Sequence, residues 1–277
     1  MGISHHDERS DGYIYDPSSE DERRRLELLE RLNDPATLAH LETIGVGPGW
    51  RCLEIGGGGG SVTRWLCERV GESGRVVATD LDTRFLDEIG AANLEVRKHD
   101  VLEDELESGA YDLVHSRFLL EHLPAYRDAL ARMVDALAPG GWILLEDVDF
   151  AGAILGDPDQ RPGYPPESIP VAAEITAGML AMAPTRGIQP ELGRRLPALL
   201  AESGLEQIGA EGRTSWMWTG TEEAELGRLS LERVTKVAVE MGALSEEDRA
   251  RYMAVVTDPG IGTFSPWRFG AWGRKPA

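Results

Sequence analysis

Two hydrophobic periods alternate along the chain. Between residues 20 and 44 apolar side chains recur at helical spacing: Leu26, Leu29 and Leu32, then Leu38 and Leu41. Asp34-Pro35 interrupts this run and predicts two helices, with Asp34 as N-cap of the second and Pro35 in its first position. Past the breakers Gly45, Gly47, Pro48 and Gly49, short apolar runs predict strands at 50–55, 75–79, 93–97, 111–115 and 142–145. Helical patterns at 61–70 and 124–137 lie between them, the second closed by Pro139-Gly140-Gly141. Apolar strands joined by helices need both sheet faces covered, so the pattern predicts an α/β open sheet of mostly parallel strands. After Phe150 the pattern changes. Prolines 158, 162, 165, 166 and 170 predict a loop or lid. Helices follow near 171–183, 191–203, 221–241 and 245–256, and alternating aromatics near the end predict a terminal strand. The chain thus divides into a helical leader (1–49), a core (50–150), cap helices with a returning strand (151–257) and a terminal strand (258–277).

Charge narrows the partners. There are 28 Lys and Arg against 48 Asp and Glu, a net −20. That balance weighs against nucleic acid, which needs a basic face, and against an anionic membrane surface. The triplet Arg23-Arg24-Arg25 sits among Glu20, Asp21, Glu22 and Glu27 and reads as a solvated helix face. No apolar run approaches the ~20 residues of a membrane span. The first residues lack the apolar stretch of a secretory signal, so the expected location is the cytoplasm. Cys52 and Cys67 lie in apolar patterns and are expected to be buried free thiols.

The run Glu54-Ile55-Gly56-Gly57-Gly58-Gly59-Gly60-Ser61 joins a predicted strand to a predicted helix. Glycines there let a ligand approach the backbone and the helix N-terminus. A Walker A loop needs a lysine that is absent, and no G-x-G-x-x-G register fits. What fits is E-x-G-x-G-x-G at Glu54, Gly56, Gly58 and Gly60. A carboxylate beside the glycines repels a pyrophosphate and suits an ammonium group. Asp80 ends the next strand, where an acidic residue can accept both hydroxyls of a ribose. Asp100, after the third strand, suits an adenine amino group, with Val101 against the ring. Either aspartate alone reads equally well as a strand-end or turn residue; three carboxylates at successive strand ends are far more specific.

These residues resemble class I S-adenosylmethionine-dependent methyltransferases, of the small-molecule kind similar to the ubiquinone/menaquinone C-methylases. The carriers are LEIGGGGGSVT (53–63), VVATDLD (76–82), KHDV (98–101), YDLVHSRFLLEHLP (111–124) and LAPGGWILLEDVD (137–149). The resemblance implies a Rossmann-like seven-stranded sheet of order 3-2-1-4-5-7-6, with S-adenosyl-L-methionine as cofactor and S-adenosyl-L-homocysteine as product. It implies that Glu54 approaches the methionyl ammonium through water, that Gly56 and Gly58 pass the methionyl part with Gly57 also among the cofactor-binding residues, and that Asp80 holds the ribose. Leu81 would pack on adenine, Asp100 and Val101 would frame it, and Ser116 and Arg117 would lie near the sulfonium. The five-glycine run holds more glycine than the motif needs.

Methyl transfer is an in-line displacement in which a protein mainly aligns the nucleophile and excludes water. No metal cluster is expected, because strand alternation splits Glu146, Asp147 and Asp149 between faces. A phenolic acceptor, with a pKa of about 10, would need a base. His122 is the candidate, with a packed or capping histidine as the competing reading. His115 reads as structural, and Glu146 and Asp149 as either pocket-mouth or solvated acids. Acceptor contacts are expected from Tyr13, Tyr15, Phe118, Asp149, Trp216 and Trp218, although the tyrosines read equally as a tail and the tryptophans as core. The acceptor is expected to be a small hydrophobic or aromatic metabolite such as a phenol, indole or quinone scaffold, in a monomer or homodimer. The alternatives are a methyltransferase fold turned to cyclisation and a cofactor-binding regulatory module.

Overall fold

A computed structural model describes residues 20–150, 168–260 and 262–277. In chain order the strands are β1 (Arg51–Ile55), β2 (Arg75–Asp80), β3 (Leu94–Lys98), β4 (Tyr111–Arg117), β5 (Leu137–Asp149), β6 (Glu206–Arg213), β7 (Trp216–Trp218), β8 (Gly262–Phe264) and β9 (Trp267–Arg274). The helices are α1 (Glu20–Ile44), α2 (Ser61–Val70), α3 (Tyr126–Ala136), α4 (Ser168–Met182), α5 (Leu192–Glu202), α6 (Glu222–Glu240) and α7 (Glu246–Val256). They form two compact units.

The larger unit comprises Leu29–Ile154, Ala183–Ser215 and Phe264–Ala277. Its sheet runs β3-β2-β1-β4-β5-β9-β6, the expected order once β7 and β8, a separate two-stranded ladder, are left out of the count. β1 to β5 pair in parallel, and β9 runs antiparallel between β5 and β6. One face carries Cys52, Val76, Leu113 and Leu144 beneath Leu41, Val62, Leu66 and Val70 of α1 and α2. The other carries Leu53, Val77, Val114 and Leu145 against α3 and α5. Burial on both faces explains why these strands read as unbroken apolar runs.

The structure corrects several local expectations. α1 is one helix that continues through Pro35. Proline removes a backbone donor at a cost of about 3 kcal/mol, but Asp34 and Thr37 tie this stretch to the sheet. Asp34 is therefore no N-cap: its Oδ1 accepts from Ser61 Oγ at 3.0 Å and Arg117 Nη1 at 2.9 Å. Pro139-Gly140-Gly141 is not a turn but a register shift inside β5. Gly140 N donates to Lys275 O and Lys275 N to Gly141 O, so the chain end stitches the irregularity. The returning strand is β6, whose sequence EQIGAEGR lacks apolar alternation. Its glycines admit rings from β9: a Cβ at Gly209 would meet Trp272 at 2.4 Å, and one at Gly212 would meet Phe269 at 2.7 Å.

The smaller unit comprises Met1–Leu28, Leu155–Met182 and Trp216–Thr263. Thr221 and Ser245 cap α6 and α7 through their hydroxyls. Arg24 forks onto Glu225 at 3.1 and 2.8 Å, while Arg25 is buried in an ion pair with Glu22 at 2.7 Å. The arginine triplet is thus not a uniformly solvated face. Among the described residues no helix is long and apolar enough to cross a membrane.

Candidate functional site

The glycine run emerges from β1 at the C-terminal edge of the sheet. Gly56 N and Gly57 N both donate to Thr79 O, which folds the loop over the end of β2. Gly56, Gly58 and Gly60 have φ of 75°, 53° and 84°, the left-handed region that favours glycine. A Cβ on Gly58 would meet nothing within 4 Å, so that rim is open. A Cβ on Gly57 would meet Leu86 at 2.9 Å; this glycine serves packing beneath the loop rather than the open rim.

Asp80 anchors the loop from the neighbouring strand. Its Oδ2 accepts from Gly58 N at 2.9 Å and its Oδ1 from Asp82 N at 3.0 Å. Burial raises its pKa, and these backbone donors moderate the rise. Leu81, next in sequence, is 55% exposed although apolar. Asp100 folds an Asx turn onto Leu102 N at 2.9 Å, and Val101 is buried. On β4, Ser116 Oγ is buried with no hydrogen-bond partner among the described residues. The chain then turns through Phe118 with φ 54°, an uncommon conformation for an aromatic residue. This turn places Leu119 against Gly56, where a Cβ would be 3.4 Å away.

Glu54 is 4% exposed, facing α2 and the interior. It accepts a hydrogen bond from Thr63 Oγ1, and its Oε1 lies 3.5 Å from His115 Nδ1. His115, fully buried, reaches Glu146 Oε2 with Nε2 at 3.5 Å. Glu146 also accepts from Thr37 Oγ1 at 2.5 Å and meets His40 Nδ1 at 3.1 Å. His40 Nε2 continues to Glu211 Oε2 at 2.9 Å. Burial opposes charge on both histidines, but bonds to their carboxylates outweigh it and raise their pKa values. The same bonds hold the Glu146 carboxyl well below its ordinary range despite burial. Glu146 is therefore an interior ion and not a residue of the pocket mouth. Glu30 and Asp34 of α1 add contacts to Ser61 N at 3.1 Å and Ser61 Oγ at 3.0 Å.

A second acidic cluster lies on the opposite face. Glu121 and Asp147 are both buried, and Glu121 Oε2 accepts from Val148 N at 2.9 Å. Burial pushes the Glu121 carboxyl up to about 8 and raises Asp147 well above the carboxylate range, with the Glu121 charge adding to the second shift. His122 Nε2 lies 3.3 Å from Glu121 Oε1.

The remaining candidates separate. Asp149 is buried and ion-paired with Arg194. Phe118 and Arg117, with Glu146, Phe269, Gly270 and Arg268, line a recess with free space of about 10 Å³, room for one water. Trp216 and Trp218 belong to the smaller unit, with ring centroids 5.7 Å apart in an edge-to-face pair. Tyr13 and Tyr15 lie outside the described residues. Cys52 and Cys67 are buried free thiols. Among the described residues no group of three His, Cys, Asp or Glu could hold a metal ion. Sequence reading missed Glu30, Thr37 and His40, and gave Asp34 only a capping role. The spacing 30, 34, 37, 40 is a helical stripe, but its meaning depends on the strand ends it meets.

The methyltransferase domain family model matches residues 11–206. The chain is 31% identical over 178 residues to methyltransferase str3 of Strobilurus tenacellus, covering 62% of this chain and 58% of that protein. It is 34% identical over 120 residues to the ubiquinone/menaquinone biosynthesis C-methyltransferase UbiE of Ectopseudomonas mendocina, covering 40% of this chain and 47% of that protein. The chain thus spans about half the length of these curated relatives. Among solved structures, phosphoethanolamine N-methyltransferase 2 of Haemonchus contortus, bound to phosphomonomethylethanolamine and S-adenosylhomocysteine, superposes with a TM-score of 0.55 at 19% identity, covering 91% of this chain and 57% of that one. That likeness concerns the fold. The family match covers most of the chain and all of the strands that carry the glycine loop and its three carboxylates, and on that ground the chain belongs to the methyltransferase domain family.

Proposed function

We propose that the chain is an S-adenosylmethionine-dependent methyltransferase acting on a small hydrophobic or aromatic metabolite, in the cytoplasm. The observation that carries this reading is the rim formed by Gly58, Asp80 and Leu81. There an open glycine edge, a carboxylate fixed by two backbone donors and an exposed apolar side chain lie at adjacent strand ends. The donor set fits the cofactor. Asp80 would take the ribose hydroxyls, Leu81 and Val101 the adenine faces, and Asp100 its amino group. Glu54 would face the ammonium, Gly56 and Gly58 would border the methionyl chain, and the buried hydroxyl of Ser116 would find its partner there beside Arg117. The cofactor supplies a methyl group already activated on a sulfonium.

The chain's own task is alignment, exclusion of water and, for a phenolic or similar acceptor, removal of a proton. His122 is the candidate base. Leu119, in the same turn, packs beside Gly56, which supports a place for this segment near the methionyl part of a bound cofactor. His122 Nε2 faces Glu121 Oε1 at 3.3 Å, so the neighbouring carboxyl orients the ring. Phe118 is a candidate acceptor contact by its place in the turn, as are the aromatic Trp216 and Trp218 in their own unit. Labelled-methyl S-adenosylmethionine offered with phenols, indoles, quinols and amines tests the reading. Label in one class names the acceptor atom. Tight cofactor binding with no label moved in any class, together with conversion of an acceptor into an unmethylated product, would replace transfer by other chemistry on the same fold.

A further inference from the structure

The chain Glu211–His40–Glu146–His115–Glu54, buried except at half-exposed Glu211, crosses the α1 face of the sheet and ends at the glycine loop. Glu54 and His115 are direct neighbours in the β1–β4 register, and Glu146 pairs with Gly270 between β5 and β9. Gly270 has no side chain to fill its place in the row. His40 of α1 fills it, its ring against Trp272 at a centroid distance of 5.1 Å. An apolar sheet face would be cheaper here, since each buried ion carries a desolvation penalty. The row runs out at Glu54, the carboxylate at the β1 end that leads into the loop.

We propose that His115 is a positioning residue for Glu54: its imidazolium holds the carboxylate beside the loop, and it releases its proton when a ligand ammonium takes the other side of that carboxylate. This rests on the cofactor reading above. Two cations cannot share Glu54 without mutual repulsion, and His115 is the one that can discharge. Thr63 keeps Glu54 in place when the imidazole is neutral. The charged and titratable groups around this pair are Glu54 on β1, Arg117 on β4, Glu146 on β5, Glu211 on β6, and Glu30, Asp34 and His40 on α1. The thiols of Cys52 and Cys67 also feel the Glu54 charge, but burial pushes Cys52 far above neutrality and Cys67 to about 11, so neither titrates near neutral pH.

The test is calorimetric titration of S-adenosylhomocysteine into the full chain in phosphate and in Tris, from pH 6 to pH 8. The ligand's own amine behaves alike with every variant, so the difference between proteins is read. The wild type is expected to release a fraction of a proton per ligand that His115→Asn does not. Its affinity should climb with pH, about tenfold across the titration for each unit by which His115 shifts on binding, while the variant stays flat. The same proton count in both proteins overturns the assignment. If His115→Asn does not fold, ring titration of wild-type His115 by NMR decides it: a pKa unmoved by saturating ligand is the overturning result. If the wild type takes up no ligand at all, the cofactor reading itself falls and this assignment with it.

Discussion

Gly270→Ala adds one methyl group at the centre of the polar row, and its cost follows from the geometry. The new Cβ would stand 2.6 Å from His40 Cε1, 2.8 Å from His40 Nδ1 and 3.3 Å from Glu146 Oε1. His40 cannot yield by a small rotation. Trp272 backs its ring, and its two nitrogens are held at 3.1 Å by Glu146 and 2.9 Å by Glu211. Moving the ring out breaks both bonds. The inner one, buried and charge-assisted, contributes roughly 1.5–3 kcal/mol. The outer one, to half-exposed Glu211, contributes well under ~1 kcal/mol after solvent screening. Alanine in a strand returns about 0.5–1 kcal/mol of backbone entropy relative to glycine. The expected net loss is about 2 kcal/mol, read from urea unfolding followed by tryptophan fluorescence at pH 7. A double-mutant cycle separates collision from any other effect. In His40→Ala the space is vacated, so adding Gly270→Ala should return only the backbone gain of about 0.5–1 kcal/mol and give a coupling of about 3 kcal/mol. Additive losses, or a single-mutant loss below ~0.5 kcal/mol, would refute the packing account of Gly270.

Four other outcomes are expected. Asp80→Ala removes the acceptor of Gly58 N and the partner of a ribose, and should weaken S-adenosylhomocysteine binding more than tenfold by calorimetry; unchanged affinity would remove Asp80 from the site. His40 and His115 titrate higher in the folded chain than in the unfolded one, so their stabilisation is complete below about pH 6.5 and is lost as pH rises through their folded values. The urea midpoint of the wild type should therefore fall between pH 6.5 and 8.5 more steeply than that of His40→Gln, and parallel curves would contradict the ion row. Glu121, pushed up to about 8, likewise contributes most below its unfolded value near 4.5 and loses that contribution up to about pH 8. Glu121→Gln, neutral at every pH, should gain stability over the wild type at pH 8 relative to pH 5; a gain confined to pH 5 would reverse the assignment. His122→Ala should lower turnover on a phenolic acceptor more than it lowers cofactor affinity, and equal turnover in both proteins would remove His122 from proton transfer.

The core strands and the glycine loop were legible in the sequence because each depends on local rules, while the family and the sheet order came only with the resemblance that those motifs carry. A parallel strand buried on both faces is mostly apolar, and a turn with φ near +60° favours glycine. A carboxylate at a strand end keeps its place whatever packs above it. Glu54, Asp80 and Asp100 could therefore be picked out as a set, although neither aspartate was decisive alone. The partners that give them their charge state could not. Whether Pro35 breaks a helix depends on what Asp34 and Thr37 touch, and those atoms lie on α2, β4 and β5, far along the chain. Glu146 read as either a pocket-mouth or a solvated acid because alternation gives a face and not a neighbour; His40, more than 100 residues earlier, makes it an interior ion. Gly270, within the terminal strand, carries no sequence signal for the His40 ring that occupies its space. Local sequence determined which groups stand at the strand ends. Only the tertiary structure, by choosing what is desolvated beside what, decided which of them are free to meet a ligand and which are bound to one another.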